Sequence, residues 1–419
     1  MAEYIADLHV HSHHSREASK QMTLEQIAEW STKKGLAVVA AADFTNSEWY
    51  QELQKKLLIQ ENGLYKLKEY DGDIKFILSA EVTCAFTKKE RGRRINLLII
   101  APNFQVADEI NSQLSWISDI KSQGLPTVEI EAEELVRIVM EASPDSAVIP
   151  ANVWETSSSL FSTRDGFDKI DECFAEMVTK IGAIESGLAS DPPMNWRLSQ
   201  LDDFRILSFS GAREPEDMGR EATIFSLSEL TYSNIIKAIQ QPTTEDKVSS
   251  TIEQYPELHE FYLDGHQSCH IRFTPEESDN HSGNCPTCQK PLTRGVMSRL
   301  EELANRPANI EKPDNRPPYR HVVPLLNIIA EARESKKKDK AVIEEYNTII
   351  ASAGPELKIL TSDTPNQYAG AINPKILEGI KRTQAENINV TPGYADNKGV
   401  VNIFSPDEGV DKAGQDRLL

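Results

Sequence analysis

No run in this 419-residue sequence approaches ~18 consecutive apolar residues, which excludes a membrane-spanning helix and leaves no membrane partner to expect. The start of the chain has no basic stretch followed by an apolar one, so the expected location is the cytoplasm. Positive charge is also short. Lys and Arg number 45 against 65 Asp and Glu, a formal net charge of −20, so strong non-specific binding to nucleic acid is not expected from the overall balance. A local basic groove on an acidic body, or docking on a more basic protein, is compatible with that charge. Cysteine is scarce: of five, three fall between Cys269 and Cys288, which fits metal binding in a reducing compartment better than a disulfide framework.

The length implies two or three domains. Near the N-terminus, AEYIADLHVHSHHS places Asp7, His9 and His11 at alternate positions behind an apolar lead-in. Alternation on an extended strand turns all three to one side, and two imidazoles at that spacing begin a metal site. The segment MTLEQIAEWSTKK then has helical apolar spacing, with Thr23 as N-cap, Gln26 completing a capping box and Gly35 closing the helix. LAVVAAADFTN reads as a buried strand delivering Asp43 and Asn46, and KFILSAEVTC brings Glu81 to a strand end. A strand and helix alternation of this kind places its chemistry at strand ends.

Further on, His266-x2-Cys269 and Cys285-x2-Cys288 form two half-sites whose ligand types and spacing predict a structural zinc ion. His270 and His281 are alternative fourth ligands and read as exposed loop residues. Cys84 and Cys173 read as small buried core residues. The proline-rich stretch 306–319 is a semi-rigid connector, and HVVPLLNIIAEARESKKK and AVIEEYNTIIASAG read as helices, with Lys336, Lys337 and Lys338 in the last turn of the first. The acidic tail after Ser405 reads as disordered.

With Ser12 and the polar run after it, the first motif resembles that of the PHP (polymerase and histidinol phosphatase) family. Through DPPMNWRLS, through the SLF and GF segments around Phe161 and Phe167, and through nearly everything after residue 255, the sequence resembles the endonuclease Q family in particular. The resemblance implies an α/β fold: a distorted (β/α)7 PHP barrel over 1–250, a zinc-binding module over 251–318, an α-rich DNA-contact domain over 319–405 and a tail from 406 to 419. It also implies nicking of DNA on the 5′ side of deaminated bases and at abasic sites, with a base flipped into a pocket beside a cluster of metal ions. Phe161, Trp196 and Arg197 are the residues it places against DNA.

The chain departs from that pattern where metal should be held. Asn46, Asn96, Asn152, Gly211 and Arg213 occupy positions at which the family carries ligands. An amide oxygen is a poor zinc ligand, and an arginine places a permanent positive charge where a cation belongs. His9, His11 and Glu81, with Asp43, remain for one further divalent metal in the barrel. Ser157 and Ser158 stand where the family has bulky aromatics, so a flipped base would lose stacking worth ~1–3 kcal/mol. Three functions compete. The leading one is a catalytically impaired DNA-binding protein that works with a partner such as a helicase or nuclease. The second is an active metal-dependent endonuclease, and the third a protein-interaction scaffold in a repair or phage-defence complex.

Overall fold

The computed structural model describes residues 1–121 and 125–404, so the tail expected to be disordered lies outside the described residues. The helix Leu24–Lys34 shows how local sequence sets local structure. Leu24, Ile27, Ala28 and Ser31 share its buried face, the Thr23 side chain accepts from the Gln26 amide, and Gly35 ends the helix at φ 87°. The other half of the expected capping box does not form: the Gln26 side-chain amide donates to Glu29 instead, 3.0 Å away.

Ala2–Asp7, Val38–Ala41 and Lys75–Lys88 run parallel and side by side, as the sequence predicts. The regular alternation then gives way. Lys75–Lys88 turns back directly into Arg91–Ala101 through Lys89 and Glu90, both left-handed at φ 53° and 61°. A two-residue turn with positive φ at both positions can join only antiparallel strands, so this pair is a long hairpin. Ala147–Pro150 extends the sheet antiparallel to Arg91–Ala101. On the other side Ala2–Asp7 meets Ala222–Leu227 and then Lys247–Glu253, both antiparallel, and Tyr319–His321 adds a parallel outer strand.

Ala183–Glu185 and Arg205–Leu207 form a separate parallel pair in the gap. Val153 N donates to Glu185 O at 3.1 Å on one side of it, and Ser208 N donates to the Thr223 hydroxyl at 3.0 Å on the other. The architecture is therefore a mixed α/β one. A small core of Ala6, Val38, Ile77, Leu98, Ile149 and Phe225 packs under the helix Tyr232–Gln240, and a larger core joins the remaining helices to the sheet.

The C-terminal helices Leu325–Ala332 and Lys340–Ala353 share that larger core, and Tyr346 stacks on Trp30 at 5.6 Å. The first of them stops at Ala332, short of the expected lysines, where Glu334 takes a left-handed φ of 54°. Lys337 and Lys338 pair instead with Asp217 and Glu214, contacts they could not make while continuing the helix. Among the described residues no helix is long and apolar enough to cross a membrane.

Candidate metal centres

Beyond Asp7 the first strand's path continues by pairing with a distant loop. His11 N donates to Ala212 O at 2.9 Å and Gly211 N to His9 O at 2.8 Å. This fixes the backbone at His9 and His11, and the parallel neighbours bring Glu81 to the same point. One ligand atom each from His9, His11 and Glu81 lies within 4.8 Å of the others, and all three residues are buried. The Nε2 atoms of His9 and His11 stand 3.4 and 3.6 Å from Glu81 Oε2.

The outer nitrogens are held from behind. His9 Nδ1 is 2.9 Å from both carboxylate oxygens of Glu185, and His11 Nδ1 is 3.4 Å from Asp43 Oδ1. Carboxylates at Nδ1 place the proton there and turn the Nε2 lone pair inward, the arrangement that supports a metal-ligating imidazole. His9 Nε2 is buried with no hydrogen-bond partner. The donor set and this orphaned nitrogen fit a single divalent cation held by His9, His11 and Glu81. Burial alone would lower the His9 pKa, yet Glu185 and Glu81 outweigh it and raise it well above the usual range. Burial likewise opposes ionisation of Glu81, but His9, His11 and Arg213 hold its carboxyl down at about 2.

Asp43 does not join the cluster. Its Oδ2 accepts from Ser12 N and Ser12 Oγ, both at 2.7 Å, so the carboxylate is consumed in fixing the loop and orienting His11. Asp7 is similarly engaged by Ser210 and by Gly219 N. Each departing position has a local role. Asn46 caps the helix Ser47–Lys56, accepting from Trp49 N at 2.9 Å. Asn96 donates to Glu81 Oε1 at 2.9 Å and accepts from the Thr83 hydroxyl at 2.8 Å. Asn152 is left-handed at φ 46°, with its backbone N 3.3 Å from Glu185 Oε2. Gly211 takes φ 54°, a region that favours glycine, and Arg213 brings positive charge to bear on Glu81 and Glu155.

Sequence reasoning missed Glu185, which ends the short strand Ala183–Glu185 and is fully buried. The signal was an acidic residue closing an apolar run. It also missed the pair Glu155 and His259. Phe261 N donates to His259 Nδ1, so His259 Nε2 carries the proton directed at Glu155 Oε2, 3.1 Å away.

The second centre lies on the hairpin of Asp264–His266 and Ile271–Phe273 and the loop that follows. His266, Cys269, Cys285 and Cys288 each bring one ligand atom within 4.8 Å of the rest. Four soft or borderline donors with no open position fit one structural ion. The alternative histidines are placed elsewhere: His270 makes a left-handed turn at φ 54°, and His281 stacks on Phe273 at 4.8 Å.

No family model matches the sequence. The crystal structure of the lesion-specific endonuclease PfuEndoQ from Pyrococcus furiosus matches with a TM-score of 0.84 at 27% identity, over 99% of this chain and 100% of that one. An endonuclease Q bound to a 27-mer duplex with an abasic lesion at its active site matches with a TM-score of 0.85 at 28% identity, over 98% of each chain. Over nearly its whole length the chain is similar in fold to these two endonuclease Q structures. Curated relatives agree in extent only partly. An uncharacterized protein of Methanocaldococcus jannaschii is 28% identical over 278 residues, covering 64% of this chain but 34% of its own length, about a third. The uncharacterized protein YqxK of Bacillus subtilis is 22% identical over 408 residues, covering 94% of this chain and 97% of its own.

The three residues expected to touch DNA on the strength of the endonuclease Q resemblance are not at the surface. Phe161 is 1% exposed and packs on Trp154 at 4.9 Å, and Trp196 is 4% exposed with its edge on Tyr319. Arg197 is 5% exposed and makes a two-pronged contact with Glu301 at 2.7 and 2.8 Å. In this structure all three are engaged by apolar or charged neighbours and buried.

Proposed function

We propose that this protein is a DNA-recognising member of the endonuclease Q family whose PHP-type barrel no longer nicks DNA by a multi-metal mechanism. The observation that carries this reading is the state of Glu81. One of its oxygens accepts from the Asn96 amide, the other faces His9 and His11, and the charge of Arg213 acts on it from nearby. Hydrolysis of a phosphodiester by paired cations needs them about 3.5 to 4 Å apart, commonly bridged by a carboxylate. Glu81 has no free oxygen to serve a second one.

A single cation on His9, His11 and Glu81 would supply Lewis acidity at a phosphate oxygen. The chain's own residues do the rest: Glu185 and Asp43 orient the two imidazoles, and Asn96 fixes the carboxylate. In this reading His266, Cys269, Cys285 and Cys288 hold zinc for stability, and a partner such as a helicase or nuclease performs the strand chemistry. Support for DNA as the ligand comes from the match along 98% of the chain to an endonuclease Q complexed with a lesion-bearing duplex. The divisions at residues 250 and 318 remain our assignment of barrel, zinc module and helical region.

The test combines binding and cleavage on the same oligonucleotides, carrying uracil, hypoxanthine or an abasic site. Fluorescence anisotropy should show salt-sensitive binding tighter than about 10 µM at low salt. Magnesium, manganese or zinc should produce no nicking above background. Robust nicking that requires added metal and disappears in His9→Ala would establish a working nuclease instead.

A further inference from the structure

We propose that Arg213 is a phosphate clamp: its guanidinium receives one backbone phosphate of a bound DNA strand at the barrel mouth, with no metal ion required for the contact. This rests on the DNA-recognising reading above. The base of the side chain is held on both sides. His11 N donates to Ala212 O, Gly211 N donates to His9 O, and Ser19 N donates to Arg213 O at 2.8 Å. Ala212 is fully buried, so the segment has little room to shift.

The guanidinium at the end of this anchored segment is unclaimed. Among the described residues Arg213 makes no side-chain hydrogen bond and no ion pair, and its Nε is buried without a partner. The contrast with other partly buried arginines is sharp. Arg197 holds Glu301, Arg299 holds Asp168 and Arg306 holds Asp202. A desolvated N–H of a charged group with no acceptor is costly, and such a group persists where an acceptor arrives with a ligand.

The neighbouring carboxylates counter its charge without occupying its donors. Glu81 is already engaged by Asn96 and faces both histidines, and Glu155 accepts from His259. The result is a planar fork of donors on an anchored backbone, positively charged and near enough for its field to act on Glu81 of the His9, His11 and Glu81 cluster. That geometry matches two oxygens of one phosphate, which a guanidinium binds bidentately. Arginine at this position offers a seat for an anion.

Full-length protein without added divalent metal provides the test, with Arg213→Met and Arg213→Lys compared to wild type. Anisotropy titrations of an abasic duplex between about 50 and 200 mM salt should show the slope of log K against log salt reduced by about 0.9 in Arg213→Met, the signature of one lost phosphate contact. Affinity at low salt should fall about tenfold, with Arg213→Lys keeping the slope but binding more weakly, since it lacks the fork. Inorganic phosphate should raise the melting temperature of wild type and not of Arg213→Met. Unliganded Arg213→Met should melt at or above wild type, because it removes an unpaired charge; a large loss of stability would mark a structural arginine and overturn the clamp. An unchanged slope with an unchanged phosphate response would overturn it too, while leaving DNA recognition standing. If phosphate responds through Arg213 but no duplex binds, the anion site stands and the DNA reading falls.

Discussion

Lys34 Nζ lies 2.8 Å from Glu356 Oε2, with the two side chains only 1% and 2% exposed. The contact is ionic and not a well-aligned hydrogen bond, since Nζ has no partner by angle. Glu356 also accepts from Leu325 N at 3.0 Å and from the Tyr346 hydroxyl at 2.8 Å, so one carboxylate ties the helix Leu24–Lys34 to the C-terminal helices. Removing one member of a buried pair strands the other's charge. Lys34→Met should therefore cost about 3 to 5 kcal/mol in denaturant melts. Adding Glu356→Gln should recover part of it, because the amide keeps an acceptor and loses the charge. Equal stability of Lys34→Met and wild type would show that the pair contributes nothing.

The second centre should be separable from any chemistry. A closed donor set contributes folding energy directly. Cys285→Ser is expected to release one equivalent of zinc by metal analysis and to make the region 260–320 sensitive to protease. Retention of both zinc and the wild-type melting curve would remove Cys285 from the site.

Glu253 and Glu221 are fully buried, and each has one oxygen without a hydrogen-bond partner. Burial, added to by the charge of Asp191, outweighs the help of Thr251 and Ser208 and pushes Glu253 up to about 8. Burial and the charge of Glu253 also raise Glu221 well above the carboxylate range. Both folded values exceed the unfolded ones, so the folded state binds more protons. Stability from these groups is fully present below the unfolded carboxylate range and is lost as pH rises through about 8. Chemical denaturation at about pH 6 and about pH 9 should show wild type weaker at the higher value, and Glu253→Gln should flatten the difference. A variant with the same pH dependence as wild type would exclude Glu253 as its source.

What could be read from sequence follows the range of the interactions. His9, His11 and Glu81 converge because strand alternation and parallel neighbours are local rules, and the cysteine half-sites reflect short spacing. Glu185 escaped notice because it meets His9 across 176 positions and sits in no motif. Asp43 looked like a ligand from its place at a strand end, but a left-handed φ of 54° and two bonds from Ser12 decide where its oxygens point. The aromatic and arginine residues Phe161, Trp196 and Arg197 have types suited to either a core or a nucleic-acid surface. Only their packing partners distinguish the two.

The outer strand Tyr319–His321 has a bearing on how this chain can be taken apart. It covers Thr251, Ile252 and Glu253, and Val322 N continues the pairing by donating to Glu253 O at 2.9 Å. A chain cut at residue 318 would leave those backbone donors and acceptors bare along a sheet margin, an invitation for copies to stack edge to edge. The C-terminal helices are thus no detachable appendage. Assigning duties to different parts of this protein calls for exchanging side chains one at a time, with shears kept away from the backbone.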